Sequence, residues 1–245
     1  MADDPADPPR RRMVRPPSRG DAAGRGLGAR LKTADKRSLS SQQWLNRQIN
    51  DPYVQRAHAD GWRSRAAYKL IEIDDRLHLL KRGARVVDLG CAPGGWVQVA
   101  LARGAAAVAG VDLLPVEPIP GAELIEGDFT DPAVGPELLR RVGGAPDLVL
   151  SDMAPNTMGH AATDHLRIVA LIEAAAAFAI EHLRPGGAFL TKSFQGGAEG
   201  ELLRGLKAAF TDVRHLKPEA SRKDSSEVYL VATGLRRVDP PRLRR

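Results

Sequence analysis

The chain has 245 residues and is 43% hydrophobic, enough for one sizeable core and too little for two full domains. A single cysteine, Cys91, excludes an internal disulfide and a cysteine-based zinc site and suits a reducing cytosol, and the most apolar stretch, Leu171 to Ile180, contains Glu173 and is too short to span a membrane. The net charge of +6 sits at the ends, +5 in residues 1–37 and +4 in residues 236–245, which leaves −3 between them; such tails suit a polyanion such as RNA as readily as they suit a merely solvated extension.

Residues 1–37 are rich in Pro, Gly, Ala, Arg and Asp without an apolar period and read as a disordered basic tail. Arg10–Arg12 is not followed by the apolar segment of an export signal. A domain is expected over 38–235, with a second basic tail at 236–245. It opens with Trp44, Leu45, Ile49, Tyr53 and Val54 at the spacing of short helices. Ser64 is expected to cap a helix that runs to about Leu80 and is broken by Gly83. Strand-like runs follow at Arg85–Leu89, Ala107–Leu113, Glu123–Glu126, Asp147–Ser151, Gly187–Lys192, Asp212–Leu216 and Glu227–Thr233. Helix-like stretches near 95–103, 132–142, 163–184 and 198–210 separate most of them. This alternation predicts an α/β fold, a Rossmann-like and mostly parallel seven-stranded sheet with helices on both faces. The last two strands are joined by the short polar stretch Lys217–Ser226, too short for a helical crossover, so they should be antiparallel, with one reversed strand near the sheet edge.

Val86 to Trp96 reads as a buried strand entering a glycine-rich turn and a helix, Asp88-Leu89-Gly90-Cys91-Ala92-Pro93-Gly94-Gly95-Trp96. Ligands of open α/β sheets bind beyond the carboxyl ends of the strands, where glycines let the backbone come close. The turn lacks the dinucleotide and P-loop patterns, and Asp88 within it disfavours a pyrophosphate and suits a cationic amino group. Asp112 closes the second strand, where a carboxylate can accept from both hydroxyls of a ribose. Asp128 follows the third and could accept from an adenine amino group. Each acid alone could be a polar strand cap; three in order after the turn point to S-adenosylmethionine. Gly90, Pro93, Gly94 and Gly95 are the candidate backbone contacts, and Trp96 reads equally as helix core or ligand contact. Cys91 reads as a packing residue. No metal is expected.

Four more residues stand out: Lys69 in Arg63-Ser64-Arg65-Ala66-Ala67-Tyr68-Lys69, Asp152 in Ser151-Asp152-Met153-Ala154-Pro155-Asn156, Lys192 in Lys192-Ser193-Phe194-Gln195-Gly196, and Glu227 in Glu227-Val228-Tyr229. Singly, each could be a snorkelling or capping residue. Together with the glycine turn, Asp112-Leu113-Leu114-Pro115 and Gly127-Asp128-Phe129, they resemble the FtsJ/RlmE family of bacterial 23S ribosomal RNA ribose 2′-O-methyltransferases, over about Trp44 to Gly234. The departures are Cys91, where alanine is usual, and longer, more basic tails.

The resemblance implies a methyltransferase domain, S-adenosylmethionine as cofactor with Asp152 among its contacts, and a catalytic tetrad of Lys69, Asp152, Lys192 and Glu227. It further implies a uridine ribose of 23S rRNA in the large ribosomal subunit as the acceptor. A monomer without membrane association is expected. Lys192 would be the base, Asp152 would orient it, and Lys69 and Glu227 would position the ribose and balance charge. Burial, Lys69 and a cationic cofactor favour a neutral amine at Lys192, whereas Asp152 and Glu227 favour the ammonium, which would act electrostatically instead. Two other readings stay open. One is a tRNA or cap ribose as acceptor, disfavoured by the lack of an added binding domain. The other is an inactive RNA-binding assembly factor, disfavoured because all four tetrad residues and the turn are present.

Overall fold

The computed structural model describes residues 50–154, 161–195, 200–222 and 225–236. The N-terminal tail, Trp44, Leu45 and Ile49 lie outside them, as does all of the C-terminal tail except Arg236. Helix α1, Pro52–Ala59, is capped by Asp51, whose carboxylate accepts from the Tyr53 amide at 3.0 Å. Helix α2 spans Ala66–Leu77 and differs from expectation at both ends. Arg65, not Ser64, precedes its first turn, without a side-chain cap, and Ser64 contributes its carbonyl to the Ala67 amide at 3.2 Å. The helix stops at Leu77 because His78 turns left-handed (φ 51°). That turn drives Leu79 and Leu80 into the core, where the buried Asp74 carboxylate takes the Leu80 amide at 2.7 Å.

The remaining elements are β1 Arg85–Leu89, α3 Gly95–Ala102, β2 Ala107–Asp112, β3 Ala122–Glu126, α4 Val134–Val142, β4 Leu148–Ser151, α5 Ala161–His182, β5 Ala188–Phe194, α6 Glu201–Ala209, β6 Phe210–Leu216 and β7 Glu227–Leu235. The seven strands form one sheet ordered β3-β2-β1-β4-β5-β7-β6. β7 is antiparallel to both of its neighbours and every other pairing is parallel, so the reversed strand lies one in from the edge, as expected. β6 starts two residues early and β7 ends two late because buried Phe210 pairs with buried Leu235.

Alternate residues feed two apolar layers. Val86, Leu148, Leu150, Leu190, Tyr229 and Val231 face α2 and α3, whereas Val87, Val149, Phe189, Leu230 and Ala232 face α4, α5 and α6. The parallel strands deliver the segments that begin at Gly90, Leu113, Gly127 and Asp152 to one edge of the sheet. Because β7 is reversed, its first residue joins them there: Glu227 pairs with Phe194 at the end of β5. Among the described residues no helix is long and apolar enough to cross a membrane.

Candidate active site

A cavity of about 680 Å³ lies beyond the ends of β1 to β4, walled in part by Gly90, Asp112, Leu114, Asp128, Phe129 and Asp152. Gly90 has φ +78°, and a Cβ there would lie 2.4 Å from Met153 Cγ, so only glycine lets the β1 and β4 segments meet. Both oxygens of Asp112 are fixed by backbone amides, Ala92 at 2.8 Å and Leu114 at 2.9 Å. Each oxygen keeps a second lone pair for a ligand hydroxyl. Asp128 accepts the Thr130 amide and hydroxyl on one oxygen, and those bonds, the hydroxyl foremost, hold its carboxyl below the usual range.

Four expected contacts form the cavity wall: Gly90, Asp112, Asp128 and Asp152. The others lie beside it. Asp88 is buried with neither carboxylate oxygen bonded, and burial, then the Asp152 and Asp112 charges, push its carboxyl well above the ordinary range. Pro93 is exposed on the turn. A Cβ at Gly94 would meet Ile119 Cδ1 at 2.6 Å, and one at Gly95 would meet Ser64 Oγ at 2.5 Å, so both glycines admit close packing of the protein on itself. The Trp96 ring is core: it is 3% exposed, donates Nε1–H to the Ala66 carbonyl at 2.8 Å and packs 5.8 Å from the Tyr229 ring. Burial also raises the Cys91 thiol far above its normal range, which removes it as a nucleophile.

The four residues of the expected tetrad come together at the cavity's side, from α2, the ends of β4 and β5, and the start of β7. Lys192 Nζ donates to the Asp152 carbonyl at 2.6 Å and lies 3.2 Å from its carboxylate. Lys69 Nζ lies 2.8 Å from both oxygens of Glu227, and the Ser221 hydroxyl donates to Glu227 at 2.7 Å. Tyr229 links the two pairs, a role that the sequence reading missed. Its hydroxyl donates to the Asp152 carboxylate at 3.0 Å, and its ring centroid lies 5.7 Å from Lys69 Nζ. Burial, then Asp152 and Glu227, raise that phenol well above its normal range, so it remains a donor. A signal existed: Tyr229 is two residues beyond Glu227 on one strand and so shares its face. Register with Lys192 across β5 and β7 then completes the group.

A family model, FtsJ-like methyltransferase, matches residues 62–235. The Caulobacter sp. (strain K31) protein named Ribosomal RNA large subunit methyltransferase E is 60% identical over 224 residues, 91% of this chain and 99% of the relative. A protein of the same name from Granulibacter bethesdensis is 62% identical over 212 residues, 86% of this chain and 92% of the relative. Among solved structures, a Plasmodium falciparum protein described as a ribosomal RNA methyltransferase superposes with a TM-score of 0.63 at 31% identity, over 71% of this chain and 98% of that one. The chain belongs to the FtsJ-like methyltransferase family.

Proposed function

We propose that the protein methylates a ribose 2′-hydroxyl, that of a uridine in 23S rRNA of the large ribosomal subunit, with S-adenosylmethionine as donor. The names of the relatives support the substrate, and the donor set supports the cofactor: acidic acceptors in a partly apolar cavity fit a cationic purine nucleoside. Asp112 would hold the cofactor's ribose hydroxyls, and Asp128 its adenine amino group. When bound, the cofactor supplies a methyl group on a positively charged sulfur that departs with the bonding electron pair.

The observation that carries the reading is the double use of Asp152. Its residue walls the cavity, while its carbonyl and carboxylate both hold Lys192 Nζ. Two of the three positions around the Lys192 nitrogen meet those two acceptors, and the third is left for an acceptor hydroxyl. Lys192 takes the hydroxyl proton as the ribose oxygen bonds to the methyl carbon, then passes it to solvent. Asp152 orients the amine, and the Lys69–Glu227 pair flanks the ribose. Holding nucleophile and methyl in line is the larger part of the work.

The test is incubation with labelled cofactor and, separately, large subunits, small subunits, naked rRNA and tRNA. Label should enter the large subunit or its rRNA; label in tRNA alone would refute the substrate.

A further inference from the structure

The cavity wall formed by Leu113 and Leu114 rides on a segment that the sheet does not hold. Residues 113–121, between β2 and β3, form no helix or strand, and the two leucines are 69% and 63% exposed. Besides the packing of half-buried Val116 against the core, three ties bind this segment to the molecule. Asp112 joins the amides of Ala92 and Leu114 on the inner side. Ile119 is buried and packs over Gly94. The third tie is Arg63, whose Nη1 donates to the carbonyls of Pro93 at 3.2 Å and Glu117 at 2.6 Å, and whose Nη2 donates to that of Pro118 at 2.9 Å.

We infer that Arg63 is a positioning residue for the cofactor: it clamps the loop after β2 to the turn after β1 and so sets the outer wall of the cavity. One guanidinium reaches carbonyls on two different segments, a task that suits its rigid fork and not an ammonium. The clamp has a fixed base, since the Arg63 amide donates to Gln98 Oε1 on α3 at 2.8 Å, and Gln98 Nε2 donates to the Gly61 carbonyl at 3.2 Å. Gly94 makes room for it: a Cβ there would lie 3.3 Å from Arg63 Cδ and Nη1. Part of the glycine turn thus serves the clamp. Arg63 is not in the cavity wall, so it acts on the cavity through the loop. A loop held in its binding shape spares the ligand the cost of ordering it.

The inference rests on the proposal that this cavity takes S-adenosylmethionine. The test compares Arg63→Ala and Arg63→Lys with the unaltered full chain. It reads cofactor affinity by calorimetry without RNA, hydrogen exchange over residues 113–121, and kcat at saturating cofactor. Arg63→Ala should speed exchange in 113–121 while leaving α4 and β4 unchanged. It should also weaken cofactor binding about tenfold and change saturated kcat by less than about threefold. Arg63→Lys should fall between, and it keeps the test open if the alanine variant fails to fold. Unchanged exchange and affinity in both variants would overturn the inference, as would a fall in kcat at unchanged affinity, which would place Arg63 on the acceptor side. Absence of cofactor binding by the unaltered protein would sink the cofactor proposal instead, and faster loop exchange in the variant would still register the clamp.

Discussion

Asp88 is the acid for which the sequence suggested one role and the geometry another. The sequence assigns it to a cationic ligand group, yet both of its oxygens are buried, unbonded and outside the cavity wall. Burial and the Asp152 and Asp112 charges favour its protonated form in the fold. The unfolded chain releases that proton above about pH 4. The folded state therefore binds more protons above that point, and stability falls as pH rises toward the raised folded value. Asp88→Asn does not titrate, so its melting temperature relative to the unaltered protein, measured without cofactor, should climb between pH 4 and pH 7. Parallel melting curves across that range would show an ionised Asp88. That Lys69, Asp152, Lys192 and Glu227 belong together was legible because each sits in a distinctive motif. Tyr229 left only the signal of the face it shares with Glu227, and Arg63 none, because their roles depend on partners 77 and 30 to 55 residues away.

At the scale of elements, apolar runs bounded by turn residues or by a change of period marked the seven strands, and the short Lys217–Ser226 connection marked the antiparallel pair at the end. Where those signals were missing, the bounds slipped. Ala209 ends α6 and Phe210 starts β6 with no residue between, so nothing marked the change. The end of α2 turned on a left-handed His78, which no glycine announced. Asp112 exposes the dependence of a site on its element, because the last residue of β2 both offers acceptors to the cavity and ties two backbone amides. Asp112→Ala should thus weaken cofactor binding more than tenfold, by calorimetry, with a modest loss of melting temperature. Unchanged affinity would move the ribose site elsewhere.

At the scale of the whole molecule, charge and chemistry are separated. Residues 38–235 carry −3 while the flanking segments carry +5 and +4, so electrostatic attraction to RNA should reside mainly in the tails. Deleting residues 1–37 should leave cofactor affinity unchanged but lower RNA affinity and flatten its dependence on salt; an unaltered salt slope would make the tail a passive extension. The central claim is that the methyl group goes directly to a ribose oxygen whose proton Lys192 takes. A 2′-O-methyl group blocks the attack of that oxygen on the adjoining phosphodiester, so alkali cannot cleave there. Large subunits or their rRNA should therefore be labelled with methyl-tritiated S-adenosylmethionine and the RNA hydrolysed in alkali. The account predicts label in alkali-resistant dinucleotides with the unaltered protein and almost none with Lys192→Met; label in mononucleotides, or undiminished transfer by the methionine variant, would contradict it.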